Sequence, residues 1–136
     1  MKPKADRYIL LLLRLQGIYF ILTGIWPVID ISSFMLVTCP KTDIWLVKTI
    51  GTIFFCEGVC FLLSGITREG GLPVFVLSVT NALALIIIDC YYVFSGTICV
   101  IYLGDAAAEL ILLFCWALIL FAIRKEQGQM LTTRLR

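Results

Sequence analysis

Four carboxylates stand inside long apolar stretches of this 136-residue chain: Glu57, Asp89, Asp105 and Glu109. An ionisable group among apolar residues is costly to keep, so each one asks for a chemical reason. Asp105 and Glu109 are four residues apart, which on a helix places both on one face. Two like charges there repel unless a cation lies between them or one carries a proton. Asp89 follows Ser78 by eleven residues, about three helical turns, so these two share a face, with Asn81 near the same stripe. Gln16, Thr23 and Asp30 recur every seven residues and form a further polar stripe. Lys48 is the one basic residue expected to join the acids. Such a set can hold a cation, accept protons or meet a basic amphiphile. The competing reading is an internal network in which Lys48 neutralises one acid and tyrosine hydroxyls or Asn81 hold the others.

The elements that must position these groups are legible in the composition. Hydrophobic residues make up 61% of the chain and charged ones 15%, and the mean hydropathy is +1.03. A core this small cannot bury so much apolar surface, so it must face lipid. Four stretches, about 8–28, 44–66, 72–93 and 98–123, are long enough to cross a bilayer as helix, which takes about 20 residues. They lack the alternation of barrel strands. The expected fold is therefore all-α: a four-helix transmembrane bundle forming a single domain over residues 1–136. The start MKPKADRYILLLLRLQG has a basic beginning, but its apolar run is interrupted at Arg14 and Gln16 and no small-x-small site follows, so it reads as a retained helix.

Lysine and arginine orient the bundle. Lys2, Lys4, Arg7, Arg14, Arg68, Arg124, Lys125, Arg134 and Arg136 fall on one side of a four-pass arrangement, and Lys41 and Lys48 on the other. The positive-inside rule then places both termini in the cytoplasm (N-in/C-in) and the 29–43 segment outside. Trp26, Trp45, Tyr91, Tyr92 and Tyr102 would form an outer aromatic belt. Arg14 and Lys48 lie near span ends, where their stems can snorkel to the headgroups. Asp30, Lys48, Asp89, Asp105 and Glu109 all fall in the outer half, which predicts a polar pocket opening outward with Glu57 near its floor. Gly17 and Gly24, and Gly51, Gly58 and Gly65, each recur every seven residues and predict close approach of the first two spans. Gly104 with Ala106, Ala107 and Ala108 predicts a similar tight patch on the last.

Other chemistry is weakly represented. The chain has six cysteines and no histidine. No Cys-x-x-Cys pair occurs, so no metal site or thioredoxin-like centre is expected. Cys56 and Cys60 share a face and read as apolar filler. Cys39, Cys90 and Cys99 fall near the outer face, where a disulfide among them is open but its pairing is not fixed by sequence. There is no nucleophile elbow, phosphate loop or histidine-based acid–base pair, so no catalytic residue and no cofactor are expected. A net charge of +2 gives no reason to invoke nucleic acid. The expected partners are the lipid bilayer and, if a pathway exists, a second copy or another membrane protein.

The segment WPVIDISSFMLVTCPKTDIWLVKT joins the first two spans. Pro27 is expected to end the first helix and Pro40 to break the segment. Ile31, Phe34, Met35 and Leu36 could lie flat at the interface as a short amphipathic helix, either as a connector or as a lid over the pocket. Thr42 or Asp43 can cap the second span. On FMLVTCPKTDIWLVKT, IIIDCYYVFSG and IYLGDAAAEL, the chain resembles a group of small, uncharacterised four-helix bacterial inner-membrane proteins. That resemblance covers most of the chain and implies Lys41, Asp43, Trp45, Lys48, Asp89, Asp105 and Glu109 as recurring polar positions. The group has glycine where this chain has Cys39, which argues against a special backbone turn here. The architecture is also similar to DoxX-like proteins and sterol-isomerase-type bundles, by analogy alone.

Three functions follow in order. The first is binding or movement of a cation, proton or small amphiphile at the acidic pocket. The second is a structural or accessory subunit without its own ligand. The last is a small lipid-modifying membrane enzyme with Glu57 or Asp89 as its acid.

Overall fold

The computed structural model describes the backbone of residues 3–69 and 71–134 and the side chains of residues 7–69 and 71–125. Those residues form five helices and no strand: α1 (Pro3–Ile29), α2 (Ile31–Thr38), α3 (Ile44–Thr67), α4 (Leu72–Phe94) and α5 (Tyr102–Arg134). Four of them contain stretches long and apolar enough to cross a membrane: Arg7–Ile29, Ile44–Thr67, Leu72–Phe94 and Tyr102–Lys125. The large apolar side chains left exposed along all four are those a lipid phase would cover.

Helix α1 packs most extensively on α3, and α4 on α5. The α1–α5 contact joins the two pairs, while α3 and α4 touch only sparsely. The glycine stripes explain the first pair. A Cβ on Gly24 would lie 2.5 Å from the Phe55 amide nitrogen, and one on Gly58 2.6 Å from that of Ile21. Gly17, Gly51 and Gly65 are equally close to the facing helix. Only a missing side chain lets the backbones meet at this separation. Gly104 behaves differently from its sequence reading: a Cβ there would meet nothing within 4 Å, so the last span has no glycine contact at this point.

Proline 27 does not end α1, which continues to Ile29. Its buried ring projects against Gly51, which has no side chain to obstruct it. The last span starts at Tyr102 instead of residue 98, because residues 98–101 are held in turns, with the Tyr102 amide donating to the Cys99 carbonyl at 3.1 Å. Helix α3 stops at Arg68 in the left-handed conformation (φ 62°), and Pro73 falls in the first turn of α4. Arg14 does more than snorkel: its Nε donates to the Gly65 carbonyl at 2.9 Å, tying α1 to α3.

The buried apolar core lies in the half of the bundle away from α2. Leu12, Leu13, Phe20, Phe61 and Trp116 form it. Within it sits a satisfied polar cluster. Gln16 is fully buried; its amide nitrogen donates to the Ser78 carbonyl at 3.2 Å, and its oxygen accepts from the Ser78 hydroxyl and from Trp116 Nε1. These bonds fix α1, α4 and α5 in register.

Candidate functional site

Between this core and α2, the helices diverge around a cavity of about 560 Å³. Phe20 and Phe54 of α1 and α3 stack at 5.5 Å along it, and Leu85 and Ile88 of α4 add to its apolar wall. Helix α2 roofs it with Phe34, Val37 and Thr38. Three contacts hold α2 there. Asp30 caps it, accepting from the Ser32 and Ser33 amides at 3.1 Å each. Trp26 Nε1 donates to the Ser33 hydroxyl at 2.8 Å, and its ring meets Phe34 edge-on. At the far end, a disulfide links Cys39 to Cys99 in the α4–α5 loop, with the Cα atoms 6.3 Å apart. The Ser33 amide and hydroxyl, then the Ser32 amide, hold the Asp30 carboxyl below its ordinary range.

Cys39 corrects the sequence reading. Its backbone has φ 67° and ψ 158°, a region used almost only by glycine. The special turn is present despite the side chain, and the link to Cys99 is a contact glycine could not make. Cys90 is free, and Cys56 and Cys60 are exposed on α3 instead of filling an interface.

The acids divide into two classes. Asp89 of α4 and Asp105 and Glu109 of α5 line the cavity. Asp105 accepts a hydrogen bond from the Tyr19 hydroxyl of α1. Glu109 is fully buried, and neither carboxyl oxygen has a hydrogen-bond partner; Asp89 is 5% exposed, with Oδ2 likewise unpartnered. Helical spacing brings them together: Asp105 and Glu109 share a face of α5, and Asp89 shares the buried face of α4 with Ser78 and Ala82.

Glu57 belongs to the other class. It is not at the floor of the cavity but in the α3–α4 groove, where the Asn81 side-chain amide donates to it. Lys48 does not reach the acids either; it lies outside the cavity wall and neutralises none of them. The basic residue that does line the cavity is Lys41, whose ammonium donates to the Thr38 carbonyl at 2.9 Å and sits 4.7 Å from the centroid of the Tyr102 ring. Asp43 stands at the start of α3 without a side-chain cap bond, its oxygen meeting the Thr42 hydroxyl at 3.4 Å, and Trp45 is 70% exposed. Asp30 is spent on capping α2 and lies away from the pocket.

Tyr19 is a site residue that the sequence reading does not name, although it falls between Gln16 and Thr23 at helical spacing and so shares their face. Trp116 is not named either, and the partner of its indole could not be read from sequence. Among the described residues, no group of three histidine, cysteine or acidic side chains is close enough to hold a metal ion. The cavity thus sets three carboxylates into a largely apolar wall. Comparisons with protein-family models, with curated proteins and with solved structures find no match for this chain.

Proposed function

We propose that this is a multi-pass inner-membrane protein that binds a small amphiphile with an ammonium head, holding the head at Asp89, Asp105 and Glu109 and the body against the apolar wall. In this reading both termini are cytoplasmic and α2 lies outside the hydrocarbon layer, in line with the distribution of lysine and arginine. The resemblance to small four-helix bacterial inner-membrane proteins agrees with that placement.

The observation that carries the reading is Glu109: fully buried, on the wall of a ligand-sized cavity, with both oxygens unpartnered. An orphaned buried carboxyl costs about 1–3 kcal/mol or more, and a bound ammonium would supply the missing donors. The volume falls within the range of small-molecule sites, about 300–1,000 Å³. Glu57, Gln16 and Asp105, by contrast, have partners on facing helices, which favours the accessory reading for those residues. Phe61 and Trp116, buried in the core and off the cavity wall, close the bundle below it, so the reading is of binding from one side and not of a continuous pore.

The test is equilibrium dialysis of octylamine and octan-1-ol against protein-loaded and empty nanodiscs. Octylamine should bind the loaded discs in excess of the empty ones, and Glu109→Gln should weaken that binding about tenfold or more. Equal retention of octanol, or an unchanged octylamine affinity in the variant, would rule the reading out.

A further inference from the structure

The cavity also carries a positive pole, beside the first residue of α5. Lys41 Nζ sits over the Tyr102 ring, at the first residue of α5. Asp105 and Glu109 follow on the same helix three and seven residues later. At 1.5 Å per residue, the Cα atoms of the two acids lie about 5 and 10 Å further along the axis than that of Tyr102. One of the three ammonium protons of Lys41 is used on the Thr38 carbonyl. Its other polar interaction among the described residues is with the aromatic face, and no carboxylate pairs with it. At the other pole Glu109 is buried on the cavity wall with both carboxyl oxygens unpartnered, as is Asp89 Oδ2.

Resting on the amphiphile reading above, we infer that the ligand is a zwitterion: an ammonium at Glu109 and Asp89, an anionic oxygen group at Lys41, and an apolar spacer between them. A simple alkylamine meets only the lower pole and leaves the Lys41 ammonium without an anionic partner. An anionic group on the ligand would accept the free Lys41 protons in charge-assisted hydrogen bonds. The separation of the poles acts as a ruler. A ligand whose charges are too close together cannot reach Lys41 and Glu109 at once.

The experiment compares octylamine with ω-aminooctanoate, whose charges are about 10 Å apart when extended, a span matching the rise from Tyr102 to Glu109. ω-Aminobutanoate, with the same two groups on a short chain, serves as the length control. All are measured on the protein in nanodiscs. ω-Aminooctanoate should bind about tenfold more tightly than octylamine, and ω-aminobutanoate more weakly than either. Lys41→Gln should bring the ratio of ω-aminooctanoate to octylamine affinity down to about one, and Lys41→Arg should restore it. A wild-type ratio of one or less, or a ratio unmoved by Lys41→Gln, overturns the zwitterion inference while octylamine binding leaves the amphiphile reading standing. Failure of both octylamine and ω-aminooctanoate to bind overturns the two together.

Discussion

Around Trp116, the bundle buries Gln16 and Ser78 with their side-chain hydrogen bonds made. Two helical turns away along α5, Glu109 is just as deeply buried and makes none. Both regions break the apolar pattern of a membrane span, and sequence alone ranks them together. They differ in what surrounds them. At the Gln16 level, α1, α4 and α5 close on one another and supply partners. At the Glu109 level the helices diverge and α2 roofs the gap, so the carboxyl faces a cavity. A polar residue in a span can therefore fasten helices or wait for a ligand, and its hydrogen-bond inventory decides which.

Substitutions can break this contrast. The largest effect is expected where packing, common to both regions, is blocked. Gly58→Leu drives a side chain into the α1 backbone and should cost about 3 kcal/mol or more of stability, measured by denaturation in mixed micelles. Gln16→Leu should cost about 1–3 kcal/mol in the same assay, because the Trp116 indole and the Ser78 hydroxyl lose their acceptor.

Glu109→Leu should do the opposite, stabilising the empty protein by about 1–3 kcal/mol while removing octylamine binding. If Glu109→Leu destabilises as Gln16→Leu does, the contrast collapses and Glu109 is a structural residue. Cys99→Ser frees Cys39 and the end of the roof, and should lower octylamine affinity several-fold, about half to one kcal/mol, with little change at the Trp116 level.

The smallest expected effect concerns pH. The folded state holds the Asp30 carboxyl below its ordinary value of 3.8, so its contribution to capping α2 is fully present above that pH. It is lost as the pH falls through the lowered folded value. Acid loosening of α2, followed by hydrogen exchange at the Ser32 and Ser33 amides, should be absent in Asp30→Asn, whose amide oxygen caps without titrating. Equal acid sensitivity in that variant would locate the effect elsewhere.

The four apolar helices, the glycine stripes that join α1 to α3, and the set of acids worth attention are all legible in the amino-acid order. These follow from length, hydropathy and helical spacing, which are local properties of the chain. The grouping of Asp105 with Glu109 was legible for the same reason. Tertiary structure decided the rest. Glu57 left the site because Asn81, across the α3–α4 groove, became its partner. Lys41 entered the cavity in place of Lys48 because the turn after α2, tied through Cys39 to Cys99, carries it over Tyr102. Pro27 stayed helical because Gly51 leaves room for its ring. Each of these outcomes depends on a residue far away in sequence, and spacing along one helix carries no information about what faces it.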